Sequence, residues 1–282
     1  TSPDRQSGRG RVITIPPVKS YAVEHDLEVS QPVTLRNPIV QQELAKLNPD
    51  VIIVAAYGKF LPLEVLKIPT YGCLNIHPSL LPLYRGPSPV ISSILSGDKS
   101  TGTTLLLLDE GMDSGPVIYQ AEIDIASEDT GKSLTQKLFT LGSGLLTKYL
   151  SDWVSGSLEP HPQNESLATI TRKIDRADGE VNWTTLTSKL ERQCRAFTPW
   201  PGLYTHWDNK LVKFLEVELP KQMPSTKYEP GRVIHMEDPE LLVGITTGDG
   251  VLGVKRLQIE GKPPTSMEQF ILGYPKFIGA QL

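Results

Sequence analysis

Residues Cys73–Gly86 read C-L-N-I-H-P-S-L-L-P-L-Y-R-G, and they change from a strand pattern to a loop pattern at Pro78. Asn75 and His77 are two residues apart, so a strand would place both side chains on the same face. Pro78 has no backbone N–H and cannot continue a central strand, which predicts that the strand ends at His77. The stretch therefore predicts an amide and an imidazole together at the carboxyl end of a strand, where open α/β sheets bind ligands.

These two side chains suit a reaction in which charge develops on a carbonyl oxygen. Asparagine can donate two hydrogen bonds, and histidine gains or loses a proton near neutral pH. A second polar stretch, L-D-E-G-M-D-S-G at Leu108–Gly115, follows an apolar run and carries Asp109 and Asp113. A carboxylate from this stretch would orient the imidazole and raise its pKa. The alternative is that the amide and the imidazole are ordinary structural groups at a strand end.

The composition limits the classes of protein that need to be considered. The chain has 282 residues, which favours two domains, and 39% of them are apolar and 21% charged, as in an ordinary globular protein. The net charge is −4, so an RNA partner would need local basic patches. The two cysteines, Cys73 and Cys194, and the five scattered histidines lack metal-ligand spacing, so the sequence predicts no metal site.

The first half of the chain alternates between strand and helix patterns, which predicts an α/β fold with a Rossmann-like parallel sheet. The run V-I-I-V-A-A at Val51–Ala56 is continuously apolar, as is typical of a central parallel strand. Other strands are predicted at Leu27–Ser30, Cys73–His77, Thr103–Leu108 and Val117–Ile125, and helices at Val18–His25, Pro38–Leu47, Leu61–Leu66, Ser88–Leu95 and Thr130–Val154. The chain opens on the loop residues T-S-P-D-R, so we expect that the first strand and helix of such a domain are missing from this sequence.

The pattern after residue 181 predicts a smaller region built from short strands. One amphipathic helix is expected at Leu186–Phe197, and P-W-P-G at Pro199–Gly202 then interrupts the chain. Strands are predicted at Leu203–Trp207, Lys210–Val217, Gly231–His235, Leu241–Thr246 and Val251–Glu260, with a closing helix at Ser266–Leu272. Short strands at this spacing favour a small barrel.

The change of pattern also predicts the domain boundaries. We expect a catalytic α/β domain at residues 1–165, a charged linker at 166–182 and a small β-barrel domain at 183–282. In the last of these, Trp200, Tyr204 and Trp207 are expected to be core aromatics rather than platforms on which RNA bases stack.

Two motifs together carry a family resemblance. The stretches N-x-H-P-S-L-L-P-x-x-R-G and D-x-G-M-D-S-G resemble those of the formyltransferases that use 10-formyltetrahydrofolate. The opening P-D-R-x-x-G-R-G and the C-terminal half are similar to the branch of that family that acts on methionyl-tRNA. The resemblance covers essentially the whole chain. It implies 10-formyltetrahydrofolate as formyl donor, methionyl initiator tRNA as acceptor in translation initiation, and an OB-like C-terminal domain that binds tRNA.

The resemblance also implies a role for each of three groups of residues. Asn75 would donate to the oxyanion, His77 would assist proton transfer, and Asp113 would hold and tune the imidazole. The implied folate-binding residues are Tyr57, Gly58, Ser79, Leu80, Leu81 and Pro82. The implied tRNA-binding residues are Arg5, Arg9, Arg11, Arg172 and Lys173, of which Arg9 matches the arginine of G-R-G. For Arg85, a role on substrate and a structural role both remain open.

Two other classes of function stay open at the level of sequence. The first is folate chemistry on another acceptor, in a formyltransferase for an amino sugar or glycinamide, or in a formyltetrahydrofolate hydrolase. The second is a non-catalytic protein that binds folate or RNA. The expected location is the bacterial cytoplasm, with the mitochondrial matrix as the alternative, and the expected state is a monomer.

Overall fold

The computed structural model describes residues 1–7, 12–221, 229–238 and 241–282. Near its start, two three-residue strands, β1 (Arg5–Ser7) and β2 (Val12–Thr14), pair antiparallel. The predicted strand at Leu27–Ser30 is wrong, because these residues are irregular in the structure.

A four-stranded sheet carries the polar motif of β4. Its strands, in spatial order, are β3 (Ile52–Ala55), β4 (Cys73–His77), β5 (Ser100–Leu107) and β6 (Val117–Asp124). The pair β3–β4 is parallel, as predicted for a Rossmann-like domain, but β4–β5 is antiparallel, so the sheet is mixed. The direction of β5 could not be predicted from its sequence, because β5 is buried along almost its whole length. A strand buried on both faces has a continuous apolar pattern whichever way it runs.

The described residues form seven α-helices besides the strands, and local signals explain where several of these helices begin and end. They are α1 (Pro17–Glu24), α2 (Pro38–Lys46), α3 (Leu63–Leu66), α4 (Pro89–Ser96), α5 (Gly131–Val154), α6 (Thr187–Ala196) and α7 (Met267–Gly273). The Asn37 side chain accepts from the Ile39 N–H at 3.0 Å and so caps α2. At the end of α4, Gly97 adopts a left-handed conformation with φ of 78°, which glycine tolerates best.

The C-terminal half is built from short strands, as predicted, and the structure shows that they pair antiparallel. Its strands are β7 (Leu203–Trp207), β8 (Lys210–Glu218), β9 (Val233–Asp238), β10 (Leu241–Thr246), β11 (Val251–Ile259) and β12 (Thr265–Ser266). They are hydrogen-bonded in the order β7-β8-β11-β10-β9, and β12 pairs with β11. Large apolar side chains such as Leu203, Phe214 and Phe270 fill the core between the sheet and α6 and α7.

The aromatic residues of this domain divide between core and surface. Tyr204 is buried, and Trp207 packs edge-on against Phe277 with 5.0 Å between ring centroids, so both are core residues as predicted. The prediction for Trp200 is wrong, since 54% of this residue is exposed. It lies between two prolines in the turn before β7, and the alternation of strand residues does not extend to that turn.

The chain divides into two compact units. One comprises Thr1–Arg85, Thr103–Ala121 and Phe139–Ala168, and the other comprises Gly86–Gly102, Glu122–Leu138 and Thr169–Leu282. The first unit contains Asn75, His77 and Asp113. None of the helices in the described part of the chain combines the length and the apolar character needed to cross a membrane.

Candidate active site

Strand β4 brings Asn75 and His77 to the edge of the sheet where the parallel pair β3–β4 ends. The strand stops at His77, before Pro78, as the sequence predicted. His77 lies opposite Thr104 of β5, and only 4% of the histidine is exposed. The imidazole is therefore held in a fixed position at the carboxyl end of β4.

Both ring nitrogens of His77 face acceptor oxygens. Nε2 lies 3.0 Å from the Tyr84 carbonyl oxygen, and Nδ1 lies 3.6 Å from Oδ2 of Asp113. The first distance is a hydrogen bond, whereas the second is within the range of an ion pair but too long for a hydrogen bond. A proton on Nε2 donates to Tyr84, which leaves Nδ1 as the basic nitrogen on the side of the carboxylate.

The surroundings of His77 favour its neutral form. Burial lowers the pKa of His77 below its usual value, and this effect outweighs the Asp113 carboxylate and the Tyr84 carbonyl, which both act to raise the pKa. The sequence correctly predicted the direction in which Asp113 acts, but the net shift is downward because the imidazole is almost fully buried. A neutral imidazole at neutral pH can accept a proton.

Asp113 reaches both polar residues of β4 from the loop between β5 and β6. Its Oδ1 accepts a hydrogen bond from the Asn75 Nδ2 at 3.3 Å. The Asn75 amide carries a second N–H besides the one given to Asp113. Asp113 itself has a φ of 51°, a left-handed conformation that costs most residues about 1 kcal/mol and that aspartate tolerates better than most.

The other residues of this loop hold its shape. Asp109 accepts from the Gly111 N–H at 2.9 Å and from the Ser114 hydroxyl at 3.0 Å. A Cβ on Gly115 would lie 1.9 Å from the Leu107 carbonyl oxygen, so only glycine fits there. The two carboxylates of D-E-G-M-D-S-G therefore have different positions: Asp109 closes the turn, and Asp113 faces Asn75 and His77.

A buried hydroxyl fixes the loop that follows β4. Thr104 of β5 donates to the Ser79 carbonyl at 2.6 Å and accepts from the Leu81 N–H at 3.1 Å. Gln120 of β6 donates to the Leu81 carbonyl at 2.9 Å and to the Thr104 hydroxyl at 2.8 Å. Sequence reasoning missed both Thr104 and Gln120. No local signal singled out either residue, since Thr104 is one of several hydroxyl residues before the leucines of β5 and Gln120 lies on the partly alternating β6.

The residues expected to bind folate lie in two turns at the same sheet edge. Ser79 and Leu81 are buried in the turn after β4, where Leu80 and Pro82 are half-buried. Tyr57 and Gly58 follow β3, and Ala55 at the end of β3 pairs with Ile76 of β4. Burial raises the pKa of the half-buried Tyr57, and Lys59 Nζ lies 5.8 Å from its ring centroid. The parallel pairing thus brings the two turns to one edge.

The structure describes three of the five residues expected to bind tRNA, and they are divided between the two units. Arg9 and Arg11 lie outside the described residues, and Arg5 is exposed on β1. In the other unit, Lys173 is exposed, and Arg172 pairs with the Asp178 carboxylate, with 2.8 Å between Nη1 and Oδ2. This ion pair offsets the positive charge that the sequence assigned to RNA.

Arg85, whose role the sequence left open, is buried and pairs with two side chains. Its guanidinium donates to Oε1 of Gln163 and forms a two-point ion pair with Glu165. Gln163 lies just before the expected linker at residues 166–182, and no local sequence pattern marked it. Its partners lie 78 and about 50 positions away along the chain.

Both cysteines are buried thiols. Burial raises the pKa of Cys73 to about 11 and that of Cys194 to about 12, so both thiols stay protonated at neutral pH and are poor nucleophiles. Among the residues that the structure describes, no three His, Cys, Asp or Glu side chains cluster as metal ligands would.

Comparison with known families agrees with this geometry. A family model described as "Formyl transferase" matches residues 1–150, and a second, "Formyl transferase, C-terminal domain", matches residues 173–275. The chain therefore belongs to the formyl transferase family of enzymes.

Within that family, similar curated proteins are methionyl-tRNA formyltransferases. The one from Dehalococcoides mccartyi is 43% identical over 282 residues, which cover 100% of this chain and 89% of the relative. The one from Chloroflexus aurantiacus is 41% identical over 273 residues, which cover 97% of this chain and 87% of the relative.

Solved structures share the fold at lower sequence identity. HypX from Aquifex aeolicus in complex with tetrahydrofolic acid has a TM-score of 0.65 and 24% identity, covering 92% of this chain and 44% of that one. The N-formyltransferase from Helicobacter canadensis in complex with folinic acid and dTDP-3-aminofucose has a TM-score of 0.63 and 20% identity. The match covers 83% of this chain and 81% of that one. At this level of identity the likeness shows the fold alone.

Proposed function

We propose that this chain transfers the formyl group of 10-formyltetrahydrofolate to the α-amine of methionyl initiator tRNA. One observation carries the proposal: an amide, a buried imidazole and a carboxylate meet at the carboxyl end of β4. The relatives that match along the whole chain at 41–43% identity, all methionyl-tRNA formyltransferases, support this choice of acceptor.

Asn75 has the position of an oxyanion donor. When the amine attacks the formyl carbon, the carbonyl oxygen gains negative charge in a tetrahedral intermediate. One preorganised donor aimed at such an oxygen stabilises the transition state by about 3 kcal/mol. Asp113 accepts one Asn75 N–H and so fixes the amide plane. The second amide N–H is the one that donates to the oxyanion.

His77 accounts for the proton that moves during the transfer. The amine attacks as a neutral nucleophile, a C–N bond forms, and the C–N bond to the folate nitrogen breaks. One proton leaves the attacking nitrogen, and the departing folate nitrogen gains one. Neutral His77 accepts the first proton at Nδ1, and the Asp113 carboxylate 3.6 Å away stabilises the imidazolium until that proton passes on.

The turns after β3 and β4 suit the aromatic, hydrogen-bonding donor. Backbone groups of Ser79–Pro82 and the half-buried ring of Tyr57 lie at the edge where Asn75 and His77 end β4. Binding sites of this kind combine apolar walls with a few fixed polar groups. Structures that share this fold hold tetrahydrofolic acid or folinic acid, which supports a folate as the formyl donor.

The RNA acceptor would be held through charge. Arg5 and Lys173 are exposed, and Arg9 and Arg11 keep their predicted role in tRNA binding. Arg172 would leave its ion pair with Asp178 and bind a phosphate group instead. Contacts of this kind make the affinity fall steeply as the salt concentration rises. A cytoplasmic location and a monomeric state remain predictions.

A product assay tests the proposal. Full-length protein, His77→Ala and His161→Ala are each incubated with 10-formyltetrahydrofolate and methionyl-tRNA, and formyl-methionyl-tRNA and free formate are measured. His161 is a matched control because it is exposed and is tied to Val117 through its backbone. We expect product from the parent and from His161→Ala, and almost none from His77→Ala. Free formate without formyl-methionyl-tRNA from the parent would instead indicate a hydrolase.

A further inference from the structure

One side-chain amide holds the backbone on both sides of the Asp113–Gly115 turn. The Gln163 Nε2 donates to the Asp113 carbonyl at 2.7 Å and to the Gly115 carbonyl at 2.7 Å. Both N–H groups of the amide are thus used on the loop that aims Asp113 at Asn75 and His77. Asp113 adopts the left-handed φ of 51°, a conformation that persists where the surrounding structure holds it.

The orientation of this amide is unambiguous, because Arg85 defines which end is oxygen. Arg85 Nε and Nη2 lie 3.0 and 2.8 Å from Gln163 Oε1. A guanidinium only donates, so the atom that faces it has to be the amide oxygen. The two N–H bonds of Gln163 then point at the Asp113 and Gly115 carbonyls.

Arg85 is itself fixed. Its side chain is buried, and it forms a two-point ion pair with Glu165, with 2.9 Å from Nη1 to Oε2 and 2.7 Å from Nη2 to Oε1. A planar guanidinium in such a pair has little rotational freedom. Arg85 belongs to the stretch Cys73–Gly86, so the loop after β4 and the loop carrying Asp113 are joined through Gln163.

The segment that carries Gln163 is anchored at the start of β6. The backbones of His161 and Val117 exchange two hydrogen bonds of 2.8 Å each. Val117 lies directly after the Asp113 loop. Because His161 is hydrogen-bonded to Val117, the position of Gln163 is fixed relative to the end of that loop. The chain 161–165 acts as a brace across the loop.

We propose that Gln163 is a positioning residue for formyl transfer, which acts by holding the Asp113 loop in the conformation that directs its carboxylate at Asn75 and His77. The proposal rests on the formyl transfer proposed above for the same site. Arg85 serves this role by fixing the amide orientation of Gln163.

Substitutions at Gln163 test the proposal. Gln163→Met removes both donors with little change in length, and Gln163→Glu keeps the shape but faces the two carbonyls with an acceptor. Gln258→Met is the matched control, because the Gln258 amide donates to the Lys262 carbonyl in the other unit at 2.9 Å. Steady-state kcat and KM for both substrates are measured, and the His77 imidazole is titrated by NMR.

Two results are expected. In both Gln163 variants, kcat falls about 10- to 100-fold while both KM values stay within about threefold, because misplacement of a reacting group costs turnover rather than binding. In Gln163→Met, which adds no charge near the ring, the imidazole pKa of His77 also falls, toward its value in Asp113→Asn. The Tyr84 carbonyl still faces the ring in all these proteins, and the Asp113 charge is the group that moves. The control resembles the parent in both measurements.

Other outcomes overturn the proposal. A kcat within about twofold of the parent in both Gln163 variants means that the Asp113 loop keeps its conformation without Gln163. A lower kcat with an unchanged His77 pKa in Gln163→Met means that Gln163 does not act through Asp113. If the parent forms no formyl-methionyl-tRNA, the proposed function fails, but the NMR titration still shows whether Gln163 positions Asp113.

Discussion

Around β4 the buried side chains include a histidine, a serine, an arginine and a threonine, whereas the core of the sheet β7–β11 is built from leucine, valine, isoleucine and phenylalanine. The polar groups near β4 are joined by directional hydrogen bonds, such as those of Thr104, Gln120 and Gln163. The apolar core is stabilised by the burial of apolar surface. Hydrogen bonds add little net stability but fix orientation, while apolar burial stabilises without fixing any reacting group.

The contrast predicts that the two regions fail in different ways. Changes to the polar network should lower the rate of transfer more than the stability. Changes to the apolar core should lower the free energy of unfolding and leave the turnover of the folded fraction intact. Four substitutions test this separation, starting from the largest expected effect.

Phe214→Ala should have the largest effect, and on stability. Phe214 is fully buried and packs edge-on against Trp183 at 5.6 Å, so truncation should cost about 3–5 kcal/mol in the free energy of unfolding. Urea denaturation measures the loss. Leu272→Ala, at a residue that is 84% exposed on α7, is the control and should change the free energy by less than about 0.5 kcal/mol. An equal loss in both would contradict the assignment of the core.

Asn75→Leu should have the next largest effect, and on the rate. The substitution keeps the size of the side chain and removes both amide donors, so kcat should fall by a factor of about 100 to 1,000, equivalent to about 3 kcal/mol. Single-turnover formyl transfer measures this rate. If kcat stayed within about threefold of the parent, the oxyanion would have another donor.

Thr104→Val should affect both quantities to a smaller extent. It removes the hydroxyl that donates to Ser79 and accepts from Leu81, and an unsatisfied buried backbone group costs about 1–3 kcal/mol. The KM for the folate donor should rise because the Ser79–Pro82 turn loosens. Denaturation and initial rates give the two values, with exposed Thr140→Val as the control. An unchanged KM would separate this turn from folate binding.

Asp178→Asn should have the smallest effect. It releases Arg172 from its ion pair, and exposed pairs contribute at most about 1 kcal/mol to stability. Because a free arginine can then meet a phosphate, tRNA should bind slightly more tightly, and the dependence of affinity on salt should become steeper by about one ion. A binding titration at several salt concentrations measures the slope. If the salt dependence of the affinity has the same slope as in the parent, Arg172 does not contact the RNA.

Local signals explain what the sequence predicted correctly. Pro78 ends β4, Asn37 and Pro38 start α2, and the change to short strands marks the antiparallel domain. Each of these depends on residues within a few positions of one another. The placement of Asn75 and His77 on one face follows from the same short-range geometry.

Contacts between distant residues explain what the sequence missed. Gln163 meets Asp113 across 50 positions, and Arg85 meets Glu165 across 80. No periodicity encodes such contacts, so the sequence around Gln163 gave no signal. The direction of β5 was missed for a related reason, because burial on both faces removes the alternation that separates the strand types. Exposed Trp200 shows that aromatic character alone does not predict burial.

The most direct test of the contrast is to measure formyl transfer and thermal unfolding together for Asp113→Asn. This substitution keeps the shape of the side chain that faces Asn75 and His77 and removes its charge. We predict that kcat falls at least about 100-fold while the unfolding midpoint stays within about 2 °C of the parent. Retained transfer, or a loss of activity that merely follows a lower midpoint, would contradict the view that this region is built for orientation.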